Sequence, residues 1–218
     1  MLYGREELAC LAWYCLTHDS ADEVVGFSVR QSEINDGADS LCGLPLVPFE
    51  TLQERFSPDD CHLLIAIGPH EVNAPRAARF AEGRAKGYRF ARYLSSRAQV
   101  WPDLEMGSGC MIFEGATVEP FARIGANTIL RSNCHISHDG VVGDHVFLAP
   151  RSVMAGKCRV ESHSFLGVNA TLRDGVTVAQ RCVVGAGAVV AGSTEPDGLY
   201  VGVPAKRVGA AGSVKIWP

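Results

Sequence analysis

From Met106 to Val190 every sixth residue is aliphatic, without exception over fifteen positions and without an insertion. The series begins Met106, Ile112, Val118, Ile124, Leu130, Ile136 and ends Leu172, Val178, Val184, Val190. The residue four places further on is always small or short, as at Cys110, Ala116, Ala122, Thr128, Cys134 and Gly140. A period of six matches neither the 3.6 of an α-helix nor the 2 of a strand with one buried face. It matches short strands joined by tight corners, a pattern that marks a stacked-repeat architecture. Three hexapeptides close one triangular coil of eighteen residues, and fifteen of them make five coils. Successive coils pair as parallel strands about 4.8 Å apart, which predicts a prism roughly 20–25 Å tall. Gly125, Gly143, Gly167 and Gly185 fall at corners, where a missing Cβ is expected to relieve strain.

The repeat also accounts for the cysteines. Four of the eight, Cys110, Cys134, Cys158 and Cys182, are spaced evenly and fall in the small-residue series. They are expected to fill the prism as reduced thiols rather than bind metal or form bridges. No pair makes a CxxC motif. Reduced thiols predict a cytoplasmic protein. The net charge of -4 gives no basic field for nucleic acid or an anionic membrane. No apolar run approaches the ~20 residues of a membrane span. The opening MLYGREELACLAWYCL has two glutamates and no basic lead, so it is not read as a signal peptide.

Residues 1–100 have a different texture. Short strands are expected at 2–4, 24–29, 44–47, 62–67 and 88–93, with helices over 6–17, 49–56 and 73–86. This alternation predicts a small parallel sheet of Rossmann type. The expected organisation is therefore mainly β with a small α/β domain. It comprises a substrate-binding domain over 1–100, a β-helix over 101–195 and a C-terminal loop and tail over 196–218.

A filled prism has no cavity, so a site must lie on its outside, in a groove between neighbouring prisms. Four histidines fall within the repeat: His135, His138, His145 and His163. His138 stands at a corner, two residues past inward-facing Ile136, and Asp139 follows it. An imidazole oriented by a carboxylate suits proton removal from an attacking amine or hydroxyl. Gly156 is eighteen residues on and therefore stacks above His138, with a backbone N–H free to meet a thioester oxygen. His145 and His163 also stack, which raises a zinc reading, but no third ligand has suitable spacing.

The segments HISHDGVVGDHVFLAP, FLGVNATLRDGVTV, VVGAGAVV and YVGVPAKRV resemble the hexapeptide-repeat acyltransferases. More narrowly, the chain is similar to the branch of sialic-acid O-acetyltransferases and bacterial nucleotide-amino-sugar N-acetyltransferases. The resemblance implies a left-handed coil, a homotrimer and acetyl-CoA lying between adjacent prisms, with no metal. It implies His138 as general base and Asp139 as its tuning partner. It places Gly156, Phe147, Val168, Ala186 and Lys206 along the CoA channel, with Pro204 and Ala205 in the same closing loop. Phe147 stands where many members carry a second histidine, so that contact is lost or altered. Gly4, Arg5, Arg30 and Gly68 fall where relatives hold a nucleotide sugar, and Arg76 also survives. The glycine-rich turn is replaced by Gly4-Arg5-Glu6-Glu7, and the usual aspartates by Ser28-Val29-Arg30. The expected activity is acetyl transfer from acetyl-CoA to an amine or hydroxyl of a sugar. The alternatives are O-acetylation of a glycan, a zinc carbonic anhydrase and a non-catalytic binding module.

Overall fold

The computed structural model describes residues 1–34 and 39–216. Its C-terminal part is a three-faced prism of 17 two-residue strands, running from Tyr93–Leu94 to Val189–Val190. The first face stacks the strands at 93, 111, 129, 147, 165 and 183, and is extended by Gly198–Val201 and Lys206–Ala210. The second face stacks those at 99, 117, 135, 153, 171 and 189, and the third those at 105, 123, 141, 159 and 177. Every pairing between coils is parallel and offset by eighteen residues, as in Leu130 opposite Leu148 and Ile136 opposite Met154. The prism opens at Tyr93–Leu94, inside the segment that the sequence reading gave to the first domain. The six-step series in fact extends back through Val100 to Leu94.

The second residue of each strand points inward. Ile112 through Val190 form one continuous buried core together with Cys110, Cys134, Cys158 and Cys182. The corner glycines act differently from expectation. A Cβ on Gly125 would lie 2.5 Å from the carbonyl carbon of Gly143, and one on Gly167 would lie 2.6 Å from the amide of Ala186. Neither has a positive φ, so the requirement is room for the next coil rather than relief of backbone strain. The left-handed backbone falls two residues later, at Asn127, Asn133, Asp139, His145 and Asn169 among others.

The first strand residues point outward. On the first face these are Tyr93, Met111, Ile129, Phe147, Phe165 and Val183, all buried. What covers them is the N-terminal layer. It holds β1 (Leu2–Tyr3), α1 (Glu7–Asp19), β2 (Phe27–Val29), β3 (Ser40–Leu41), β4 (Leu44–Pro48), α2 (Leu52–Arg55), β5 (Leu64–Ile65) and α3 (Ala74–Ala85). The sheet order is β3-β4-β2-β1-β5, parallel except for the β3–β4 hairpin. Leu8, Ala9, Ala12 and Leu16 of α1 share one core with Leu2, Phe27 and Leu64 of the sheet and with Phe147 and Phe165 of the prism. At the end of α1, the Asp19 carboxylate accepts hydrogen bonds from Tyr93 Oη (2.9 Å), Ser95 Oγ (2.7 Å) and the Ser96 amide (3.1 Å). Among the described residues no helix is long and apolar enough to cross a membrane.

Candidate active site

His138 sits at the corner between the second and third faces. Asp139 takes the left-handed conformation there, with φ of 58°, which a short polar side chain tolerates. Its Oδ2 lies 2.9 Å from His138 Nδ1, and both side chains are about half exposed. A carboxylate only accepts, so Nδ1 carries the proton and Nε2 keeps its lone pair. That lone pair faces Gly156, where an added Cβ would lie 2.6 Å from Nε2.

Two features of this corner differ from the sequence reading. The Gly156 N–H is not a free donor, because it bonds Asp174 Oδ1 of the next coil at 3.1 Å. Gly156 instead provides the space that the imidazole fills. The second feature is Glu119, one coil below. Its Oε2 accepts from Ser137 Oγ at 2.6 Å and from the His138 amide at 2.8 Å, while Oε1 lies 3.3 Å from His135 Nε2. These hydrogen bonds hold its carboxyl below the ordinary glutamate range. Eighteen-residue arithmetic from Ser137 would have found Glu119.

The positions assigned to CoA do not converge within one chain. Val168, 43% exposed, and exposed Ala186 stack at the corner between the first and second faces, away from His138. Lys206 is exposed on the strand that ends the first face. Phe147 is 1% exposed, locked between prism and N-terminal layer beside Phe165 at 5.9 Å between ring centroids. It has no surface to offer a ligand, so its assignment to the channel is withdrawn.

The substrate positions do gather. Strand order reverses between β1 and β5, the place where open parallel sheets form a crevice at their carboxyl ends. A cleft of about 410 Å³ opens there, lined by Gly4, Arg5, Arg30, Glu33, Ile67 and His70 among others. Gly68 is buried just behind Ile67. Gly4 has φ of 134°, and a Cβ there would lie 2.6 Å from the Ala66 carbonyl, so only glycine closes the β1–β5 junction. Every arginine of the cleft already has a partner. Arg30 pairs with Glu50 (3.3 Å) and Glu82 (2.6 Å), Arg79 with Glu82 (2.8 Å), and Arg5 with the Glu33 carbonyl. Glu6, at the N-cap of α1, pairs with His70 Nε2 at 3.1 Å.

The stacked His145 and His163 rings lie 4.8 Å apart, but they serve the joint between the two layers. Asn127 Nδ2 meets His145 Nδ1 at 2.9 Å. Arg76, fully buried, donates to the carbonyls of Asn127, His145 (2.9 Å) and Val146 (3.2 Å). Asn73 donates to the His163 carbonyl at 2.8 Å. Burial, followed by the charges of His163 and Arg76, pushes His145 down to about 4. Among the described residues no three His, Cys, Asp or Glu side chains group as metal ligands.

Comparison with known proteins agrees with this architecture. Residues 158–191 match the family model described as hexapeptide repeat of succinyl-transferase. A mutant of perosamine N-acetyltransferase from Caulobacter crescentus, solved with CoA and GDP-perosamine, is 25% identical. Its TM-score is 0.86 over 95% of each chain. The acetyltransferase domain of PglB from Neisseria gonorrhoeae shares the fold at 19% identity, with a TM-score of 0.81 over 95% of this chain and 98% of that one. Among curated sequences, gamma carbonic anhydrase 1 of Arabidopsis thaliana is 31% identical over 129 residues, 52% of this chain and 46% of that protein. The acyl-[acyl-carrier-protein]–UDP-N-acetylglucosamine O-acyltransferase of Agrobacterium fabrum is 24% identical over 46% of this chain and 40% of its own. The chain thus spans less than half the length of these curated relatives. The chain thus carries the hexapeptide repeat over residues 158–191 and, over nearly its whole length, is similar in fold to solved left-handed β-helix acetyltransferases.

Proposed function

We propose that the protein transfers an acetyl group from acetyl-CoA to an amine or hydroxyl of a sugar, with a nucleotide-linked amino sugar as the favoured acceptor. The observation that carries this reading is the His138–Asp139 pair. Its Nδ1–H is held at 2.9 Å and its Nε2 is directed at Gly156. The acceptor nitrogen or oxygen attacks the thioester carbonyl. His138 Nε2 takes the proton, Asp139 stabilises the imidazolium, and the CoA thiolate leaves. The Caulobacter protein, solved with CoA and GDP-perosamine, supports both the donor and the acceptor class.

A homotrimer completes the site in this reading. His138 stands at one corner of the prism, Val168 and Ala186 at another, and the cleft beside the first face. In a trimer, a neighbouring copy brings these together. Residues 1–92 then form a Rossmann-like substrate domain. The eight free thiols suit a reducing, cytoplasmic compartment.

The test is thiol release from acetyl-CoA against a panel of nucleotide-linked amino sugars and free glycans. His138→Ala is expected to lower kcat by about 10²–10⁴. Near-normal turnover in that variant would remove His138 as base. A hydroxyl needs a base more than an amine does, so the size of the defect separates O- from N-acetylation. The carbonic anhydrase likeness makes one other outcome informative: stoichiometric zinc without CoA release would replace the acetyltransferase reading.

A further inference from the structure

Below His138, toward the start of the prism, the same corner carries a groove that the mechanism above does not use. It is lined by Trp101, Asp103, Glu105, Glu119, Pro120 and Phe121. Its size, about 130 Å³, is below the ~300 Å³ at which drug-sized pockets begin, so it has room for one ring rather than a nucleotide. It abuts the dyad directly. The Asp139 amide bonds the Pro120 carbonyl at 3.2 Å, and Glu119 is the carboxylate that holds the His138 amide.

Phe121 is the anomaly in this wall. It holds φ of 66° with 76% of its surface exposed. The other non-glycine residues at this left-handed step of the prism are all polar: Asn127, Asn133, Asp139, His145, Arg151, Lys157, His163, Asn169 and Arg181. A bulky ring at positive φ is strained, and an exposed one forfeits the gain of burial. Neither cost serves the coil, and strain of this kind points to function. Trp101, 56% exposed, stands one coil below Glu119 and closes the groove.

We propose that this groove is the acceptor subsite. The apolar face of an amino-sugar ring lies on Phe121 and Trp101, and the amine is drawn in as an ammonium toward Glu119 and Asp103 beneath His138. It releases one proton to bulk water as it rises to Nε2 and attacks as the free amine, whose second proton His138 takes. The proposal rests on the acetyltransferase reading. Charge selects this occupant. Three carboxylates face the groove against Arg123 alone, which is itself paired with Glu105 at 3.1 Å. That field attracts a cation, and aromatic faces favour one too. It repels the phosphates of CoA.

Phe121→Asn places at this corner the residue that Asn127 and Asn133 already supply. With GDP-perosamine and dTDP-4-amino-4,6-dideoxyglucose as acceptors, the variant is expected to raise acceptor KM about tenfold, the loss of one aromatic contact. The KM for acetyl-CoA and the mass in solution stay unchanged, and Tm is unchanged or higher. An unaltered acceptor KM overturns the proposal while leaving acetyl transfer intact. A change in mass also overturns it, since the occupant is then a second copy. If the wild-type protein turns over neither sugar, the emission of Trp101 decides, read against Trp101→Phe. Saturable quenching by either sugar, weakened in Phe121→Asn, upholds the groove and sinks only the acetyltransferase reading; no quenching overturns the groove.

Discussion

At the scale of single residues, the site depends on one absent side chain. A methyl group at position 156 would lie 2.6 Å from His138 Nε2 and 3.2 Å from Asp174 Oδ1. The first separation is shorter than real carbon contacts allow, so the imidazole must rotate away and give up its 2.9 Å bond to Asp139. The coil does not need to move, because the ring is half exposed and has solvent to swing into. Gly156→Ala is therefore expected to lower kcat about 100-fold with little change in Tm. Groups that act as one unit are not additive. The double variant Gly156→Ala, His138→Ala should accordingly be no slower than His138→Ala alone. A further loss in the double variant would show that Gly156 acts independently of the imidazole.

At the scale of the coil, the small-residue series does more than fill space. Cys110 Sγ lies 2.9 Å from the Gly125 carbonyl, Cys158 Sγ 3.0 Å from that of Arg173 and Cys182 Sγ 3.0 Å from that of Glu195. Thr128 and Ser164 reach the carbonyls of Gly143 and Ala179 at 2.8 Å in the same way. Each satisfies a corner carbonyl from inside, where no water reaches. Burial pushes the thiols of Cys110 and Cys134 up to about 11. Burial pushes Cys10 up to about 11 as well, so access decides: a thiol reagent is expected to modify the part-exposed Cys10, Cys15 and Cys42 in the native protein, and the buried Cys61, Cys110, Cys134, Cys158 and Cys182 only after denaturation. Rapid native labelling of Cys134 or Cys158, read by peptide mass, would contradict a closed prism.

This element was legible because its signal repeats. The aliphatic step gives the coil, and eighteen-residue stacking places Gly156 over His138. The same arithmetic, applied to outward positions, exposes a row of apolar residues from Tyr93 to Val183 that only a covering layer can explain. It also excludes Phe147 from a solvent groove. Glu119 was harder to see. A glutamate at a corner looks like any solvated charge until the backbone amide it holds is known. The Gly156 amide was misread for the related reason that its acceptor, Asp174, comes from the coil above. In the N-terminal layer no period exists, so strand bounds drifted and the pairing of Arg30 with Glu50 and Glu82 was invisible.

At the scale of the whole molecule, two layers of different construction are held in register by a polar joint. Arg76 is fully buried, and desolvation pushes it down to about 9. It is held by carbonyls of the prism and by Asn73 Oδ1 at 2.7 Å rather than by a carboxylate. Asp144 offsets only part of a second positive charge there, and His145 is the neighbour of Arg76. Because His145 titrates near 4 in the fold and near 6.5 when unfolded, the unfolded chain binds more protons between those values. Stability is full above about pH 6.5, falls as pH drops toward 4, and stops falling on this account below it. His163 is lowered for the same first reason, burial, and adds to the slope in the same direction. The loss should begin at this joint, since protonation there places imidazolium against guanidinium. In urea titrations the midpoint is expected to decline between pH 6.5 and 4. His145→Asn, which suits the left-handed backbone at φ of 59°, should flatten that decline. An equal slope in the variant would move the acid sensitivity elsewhere. Asp19 is not the rival source, because its hydrogen bonds to Ser96 and Ser95 hold its carboxyl down to about 2. Its contribution is present above the unfolded value near 3.9 and is lost only as pH falls toward 2, below the window in which the histidines act.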